Sequence, residues 1–349
     1  MEKPVFVRNA WYIAAESREL GTQPLGRLLL KEPVVLYRRS DGTPVALEDR
    51  CCHRRAPLSH GRVEGDALRC GYHGFVFEPG GRCTWVPGTD RIPSSARVRA
   101  YPVVEKHRWI WVWMGDVAKA DPARIPDLFQ NDSPAWASAS SVLPVKADYF
   151  LLVENLMDLS HVAFTHLNSI GSAEDIDPDL HWERGEDFAR GTRLALNLSP
   201  SRNMVQRGIT YNMDVKKVMT FLPPCHVVID ITRSEANPPA GQAPRIAAHH
   251  LILNSMTPET ATSCRYYWAN ARDHDIEDPA LTEMVRKQVA GAFEEDKAMI
   301  EAQQRVIDLD PSAPVVNVVG DAGGVHARRI VERLLAEERS SGTPGRNVA

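Results

Sequence analysis

The chain has 349 residues, enough for about two domains, and its 43% hydrophobic and 25% charged residues are the balance of a globular protein. A net charge of −4 with no basic block argues against nucleic acid as a partner, because phosphate binding needs clustered Lys and Arg. No apolar run reaches the roughly 18 residues of a spanning helix and the N-terminus has no apolar signal core, so the expectation is a cytoplasmic protein with no membrane partner.

Residues 5–50 read as short strands. Asn9-Ala-Trp-Tyr-Ile-Ala-Ala and Val34-Val-Leu-Tyr are β-prone runs, separated by Gly21, Pro24, Gly26, Pro33 and an Asp41-Gly42 turn. A strand at 45–49 leads into the first chemical feature. Cys51 and His53 form a Cys-x-His pair, and Cys70 and His73 form a Cys-x-x-His pair. Each loop offers one thiolate and one imidazole. That set suits a Rieske [2Fe–2S] cluster, in which the cysteines ligate one iron and the histidines the other. A tetrahedral zinc could use the same four residues, but zinc ribbons usually pair like ligands, so the mixed pairs favour the cluster. The six cysteines, at 51, 52, 70, 83, 225 and 264, are not a secreted disulfide framework, and a reducing cytoplasm suits ligating thiolates. Phe75-Val-Phe then runs to a Pro79-Gly-Gly turn, and Trp109-Ile-Trp-Val-Trp-Met closes an all-β region with tryptophans expected in the core.

A linker rich in Asp, Ala and Pro covers about 116–135, and the domain boundary is expected near 118, dividing the chain into residues 1–118 and 119–349. The second chemical feature is a helix expected over 149–166. Asn155, Asp158 and His161 recur every third residue on one side of it, and His166 reaches that side if the helix loosens or ends there. Polar groups along an otherwise apolar helix need partners, which a metal or a buried hydrogen-bond network would supply. Residues 167–185 lack periodicity and read as a lid or a solvated connection. Runs between 190 and 270 alternate as strands of a twisted antiparallel sheet with one face toward the metal pocket. Its strand 247–254 should place His249, His250 and Asn254 near that pocket, on alternating faces. A long helix over 278–306 carries Glu294, Glu295 and Asp296, a short amphipathic one covers 327–338, and the tail from Ser340 reads as disordered. By chemistry alone any of the three adjacent acids could join the histidines on a metal.

Taken together these features resemble the terminal oxygenase component of Rieske non-haem iron aromatic oxygenases, in the short single-subunit form of vanillate O-demethylase and its relatives. The resemblance covers nearly the whole chain and rests on Asn9-Ala-Trp-Tyr, the two Cys/His pairs, Ile110-Trp-Val-Trp, Asn155-Leu-Met-Asp-Leu-Ser-His161, Thr257-Pro-Glu-Thr, Glu295-Asp296 and Asp321-Ala-Gly-Gly-Val. Cys52 stands where that family more often has proline. The resemblance implies an α+β chain: an all-β Rieske domain followed by a helix-grip-like catalytic domain with a twisted antiparallel sheet and helices. It assigns Cys51, His53, Cys70 and His73 to one cluster, and His161, His166 and Asp296 to a mononuclear Fe(II) with positions left for O₂ beside substrate. It leaves Glu294 and Glu295 on a solvated face. It implies that Asp158 links the iron histidine His161 to the cluster histidine His73 of a neighbouring copy, hence a ring, by resemblance a C3 trimer. Asn155 is then a residue near the iron or a structural amide.

The implied chemistry is oxidation of a methyl or methoxy group on a small, acidic aromatic compound, for instance O-demethylation to a phenol with release of formaldehyde. The same centres support ring dihydroxylation, and a Rieske electron-transfer protein or a structural zinc protein are the readings from other classes. The chain has neither a Gly-x-Gly-x-x-Gly fingerprint after a strand nor a plant-type ferredoxin cysteine run, so NAD(P)H would be oxidised by a separate flavin/ferredoxin-type reductase. Where one family member contacts substrate through a histidine, this chain has Asn254, with His250 nearby.

Overall fold

The computed structural model describes residues 6–166, 169–170, 179–200, 204–205 and 207–341. Backbone contacts divide the chain into two units. The first runs to Asp127 and also takes Thr257–Thr260 and the chain from Leu335 on; the second holds the rest.

The first unit is built from short antiparallel strands: β1 (Trp11–Glu16), β2 (Leu25–Leu29), β3 (Glu32–Arg38), β4 (Pro44–Glu48), β5 (Arg62–Glu64), β6 (Ala67–Arg69), β7 (Val76–Phe77), β8 (Cys83–Trp85), β9 (Ala100–Tyr101), β10 (Val103–Lys106) and β11 (Trp109–Trp113). They form three sheets, ordered β1-β11-β10, β2-β3-β4-β9 and β5-β6-β7-β8. Strand β11 is central to its sheet and buried throughout: Trp109, Trp111 and Trp113, two apart, line one face and Ile110 and Val112 the other, and Trp113 meets Trp11 edge-on at 5.5 Å. The unit extends past the boundary expected near 118 because the Asp/Pro segment packs rather than links. Trp113 Nε1–H donates to Asp116 O (2.8 Å), Trp11 Nε1–H donates to Asp121 O (2.8 Å), and the Arg124 guanidinium lies 5.3 Å over the Trp113 ring. Thr257–Thr260 belongs here for a similar reason: Thr257 Oγ1–H donates to Ile13 O (2.7 Å), and the Leu30 and Lys31 N–H groups donate to Pro258 O and Glu259 O.

In the second unit one antiparallel sheet runs β12 (Ala137–Val145), β18 (Ser263–Arg272), β17 (Ile246–Thr260), β16 (His226–Glu235), β15 (Met213–Leu222), β14 (Ala189–Leu198), β13 (Asp179–Arg184). Cross-strand partners share a face, so the register Gly191↔Met219↔Ile229 and Ala189↔Phe221↔Val227 defines one apolar side. Helices cover it. Phe150 of α1 (Tyr149–Met157) meets Phe221 at 6.4 Å between ring centroids. Past α2 (Val162–Thr165), Phe293 of α3 (Pro279–Leu309) meets Tyr266 at 5.0 Å and Trp268 at 5.4 Å. Burying each such ring is worth about 1.5–3 kcal/mol. A final helix, α4 (Ala322–Ser340), begins earlier than the 327 expected and passes into the first unit, where the Glu338 carboxylate accepts from the Arg8 and Asn9 N–H groups.

The helix expected over 149–166 is broken. Helix α1 is capped by Asp148, whose carboxylate accepts from Phe150 N–H (3.0 Å), and seven of its nine residues are buried, all but Glu154 and Asn155, as a helix apolar on nearly every side requires. At Asp158 the backbone turns extended (φ −122°, ψ 104°). The Asp158 carboxylate caps a new 3₁₀ turn, Leu159–His161, which passes into α2, and His166 follows. An aspartate prefers that capping role to a helix interior, and the jog swings the two histidine rings to 5.4 Å of each other. Most of the expected lid, 167–168 and 171–178, lies outside the described residues, and so does the tail beyond Ser341; the lid's last stretch is strand β13.

Candidate active site: two metal-binding constellations

The Cys/His pairs occupy two loops of the same design, one after β4 and one between β6 and β7. Cys51 N–H donates to Ala56 O (2.8 Å) and Arg55 N–H to Cys51 O (2.9 Å); five and four residues on from Cys70, Phe75 O and Gly74 N–H repeat both bonds (2.8 and 3.1 Å). The fourth residue after each cysteine is left-handed: Arg55 at φ 61°, Gly74 at φ 75°. Both cysteines are 2% exposed. Both imidazoles lie at the surface, with ring centroids 4.6 Å apart, and His53 stacks flat on Phe75. Burial pushes the Cys51 thiol up to about 12, with Cys70 close by adding to the effect. A thiolate there needs a cation beside it. The arrangement fits a two-iron cluster better than one zinc. A tetrahedral ion needs all its donors within a few ångströms, and among the described residues only a different group places three donor atoms within 4.8 Å of one another.

That group is His161, His166 and Asp296. Asp296 belongs to the buried stripe of α3, in sequence with Phe293 and Ile300, and is itself 3% exposed. His161 Nδ1–H donates to the Asp158 carbonyl (2.7 Å) and His166 Nδ1–H donates to Glu295 Oε2 (2.7 Å). Those acceptors fix both tautomers, leaving each Nε2 with a lone pair. The two Nε2 atoms face Asp296 Oδ1 at 3.4 and 3.2 Å. Beside them Asn155 Nδ2–H donates to the same oxygen (3.3 Å), while the buried Asn155 Oδ1 has no hydrogen-bond partner among the described residues. Two imidazole lone pairs and a carboxylate oxygen that converge with only the Asn155 N–H beside them are what a cation would satisfy, and two imidazoles with one carboxylate are the set for Fe(II).

Glu295 was expected on a solvated face. Instead its carboxylate, although partly exposed, accepts from His166 and from Ser169 Oγ–H (2.7 Å), and the two bonds hold it below the usual carboxylate range. Glu294 does stay exposed, 3.5 Å from Lys297. Adjacent residues on a helix point about 100° apart, so sequence spacing could not show that one acid faces the ion site and its neighbour the ring behind it. Glu295→Gln is expected to lower iron affinity roughly 10–100-fold with cluster content unchanged, read by iron titration of the apo protein; unaltered affinity would remove Glu295 from this role. Burial alone would lower the His166 pKa, but hydrogen bonds to Asp296 and Glu295 outweigh it and raise it. In the metal-free protein this stabilisation is full below about pH 6.5 and fades as pH rises through the raised value. Iron needs the neutral ring, so its affinity should climb by up to about tenfold per pH unit across that window, whereas a flat profile between pH 6 and 8 would contradict it.

The Asp158 carboxylate does not touch His161; only its carbonyl does. Oδ1 accepts from Ser160 N–H (2.9 Å) and Oδ2 from Ser160 Oγ–H (3.0 Å), with Arg193 Nη1 3.6 Å from Oδ1. The two substrate candidates share a face of β17, yet their polar atoms are committed to protein. His250 bonds Asn270 Oδ1 (3.3 Å) and His274 Nε2 (3.3 Å), and burial, then Arg233, lowers its pKa to about 3, so it is neutral. Asn254 donates to Val227 O and Ile252 O and accepts from Tyr266 O–H (2.7 Å). His249 faces the other side, against Asp230 and Trp136.

Comparison with known proteins identifies the two domains that carry these residues. Residues 10–102 match the Rieske [2Fe-2S] domain, and residues 145–337 match the vanillate O-demethylase oxygenase C-terminal domain. The toluene-4-sulfonate monooxygenase iron-sulfur subunit of Comamonas testosteroni is 38% identical, covering 97% of this chain and all of that protein. The vanillate O-demethylase oxygenase subunit of a Pseudomonas species is 36% identical over 344 residues, 97% of each chain. The crystal structure of dicamba monooxygenase bound to 3,6-dichlorosalicylic acid matches with a TM-score of 0.88 at 34% identity, covering 96% of this chain and 99% of that one. No helix among the described residues is long and apolar enough to cross a membrane. Loops, ion site, fold and relatives agree: this chain is a member of the Rieske non-haem iron oxygenase family, of the vanillate O-demethylase oxygenase type.

Proposed function

We propose that this chain is the oxygenase component of a multicomponent monooxygenase that oxidises a methyl or methoxy group of a small acidic aromatic compound, with electrons supplied by a separate NAD(P)H reductase. The observation that carries the reading is the convergence of His161 Nε2, His166 Nε2 and Asp296 Oδ1, with each histidine already oriented through Nδ1, on a chain that also carries the paired Cys/His loops. Held by Cys51, His53, Cys70 and His73, the cluster would supply electrons singly, and iron at the triad would supply oxygen activation beside the substrate.

The protein's own part is to position. Glu295 and the Asp158 carbonyl hold the two rings, Asn155 steadies Asp296, and Tyr266, buried and close enough to feel the Asp296 charge, bounds that side together with Asn254. Asn254 and His250 then shape the substrate chamber rather than carry charge to an acid. The Asp158 carboxylate is the link to His73 of a neighbouring copy, in a C3 trimer. The acidic aromatic assignment draws on relatives named for toluene-4-sulfonate, vanillate and dicamba.

Purified protein, supplied with reductase, NADH and a panel of methoxybenzoates and methylbenzenesulfonates, should release formaldehyde or benzylic alcohol in step with oxygen uptake. cis-Diol as the sole product would reject the reading in favour of ring dihydroxylation.

A further inference from the structure

One glycine packs directly on the Asp158 carboxylate. Gly320 sits in a one-turn 3₁₀ helix, Val319–Asp321, closed by Asp321 Oδ2, which accepts from Val318 N–H (2.6 Å). A Cβ at Gly320 would lie 2.8 Å from Asp158 Oδ2 and 3.3 Å from its Cγ. Backbone freedom is not the reason for a glycine here, since its φ is outside the left-handed range; the reason is space. Arg193, 4% exposed on β14, places Nη1 3.6 Å from Oδ1, and Ser160 occupies one acceptor position on each oxygen. A carboxylate offers about four acceptor positions, so Oδ2 keeps one open. The side chain is 21% exposed, so a donor can reach it from outside.

We infer that Gly320 and Arg193 are positioning residues: together they set the Asp158 carboxylate so that the open position on Oδ2 meets an imidazole N–H from outside the chain. This rests on the reading of Asp158 as the link between the two metal centres. A methyl group at 320 moves the very oxygen that keeps the open position. It leaves untouched the Asp158 carbonyl that orients His161, so iron binding and electron delivery come apart.

Gly320→Ala should keep full iron and sulfide, with a melting temperature close to wild type, while product formation in a single turnover of pre-reduced protein slows at least tenfold. It should also shift the cluster midpoint potential in the same direction as Asp158→Asn. The double variant should be no slower than Asp158→Asn alone, because both changes act on one contact. Arg193→Lys, which keeps the charge, should recover most of the rate lost in Arg193→Met. If Asp158→Asn is slow but Gly320→Ala runs at the wild-type rate, or if the two losses multiply, the positioning role is wrong and the bridge survives. If Asp158→Asn itself runs at the wild-type rate, the bridge reading fails and this inference with it.

Discussion

Replacing Asp296 with alanine is expected to leave the visible spectrum of the cluster intact while removing the mononuclear iron and all detectable turnover. Asp296 Oδ1 is the atom that both Nε2 lone pairs face, and neither neighbouring acid of α3 can take its place without a backbone shift: Glu295 is already bonded to the back of His166 and Glu294 is exposed beside Lys297. The cluster should be unaffected because Cys51, His53, Cys70 and His73, the residues proposed to hold it, lie on loops of the first unit. Folding should suffer only moderately. The truncation leaves the Asn155 amide without its acceptor in a buried place, worth about 1–3 kcal/mol. Iron and acid-labile sulfide analysis beside the reduced-cluster EPR signal checks this. An Asp296→Ala protein that still held stoichiometric mononuclear iron would overturn the triad.

Asp158→Asn should do the reverse, retaining both metals and slowing turnover roughly 10–100-fold, the scale of losing a hydrogen-bond partner of a ligating histidine. Retention follows from which atom does what. The iron-side ring is held by the Asp158 carbonyl, which the substitution keeps, and an asparagine oxygen can still accept the Ser160 N–H and cap the turn. What is lost is a charged acceptor at the chain surface. Steady-state and single-turnover rates at full metal content are the readout, and wild-type values in both would remove the electron route through this side chain.

Much of this was legible in the sequence, and the limits have physical causes. The Cys/His loops are local: six or so residues close each turn, so spacing alone shows that each cysteine shares a loop with its histidine. The histidine-bearing segment was legible as a helix, but not its break. Periodicity continues through Asp158, and only the choice of aspartate to cap Ser160 N–H rather than continue the helix turns the chain. Glu295 was hidden because two neighbouring acids look alike until a ring is placed against one of them. Arg193 and Gly320 lie 35 and 162 positions from Asp158, and their proximity depends on sheet register and on where α4 begins, which no short window records. The glycine run 320–324 could have served as a signal, since closely spaced glycines mark places where another segment comes close.

The most direct test of the central claim is a single turnover without reductase. Protein with a chemically reduced cluster is mixed with oxygen and a methoxybenzoate that the steady-state assay has identified, and cluster oxidation is followed alongside formaldehyde. The two should rise together, and protein stripped of mononuclear iron should give no product although its cluster remains reducible. Product formed at the same rate without that iron, or cluster oxidation in the complete protein with no product at all, would contradict it.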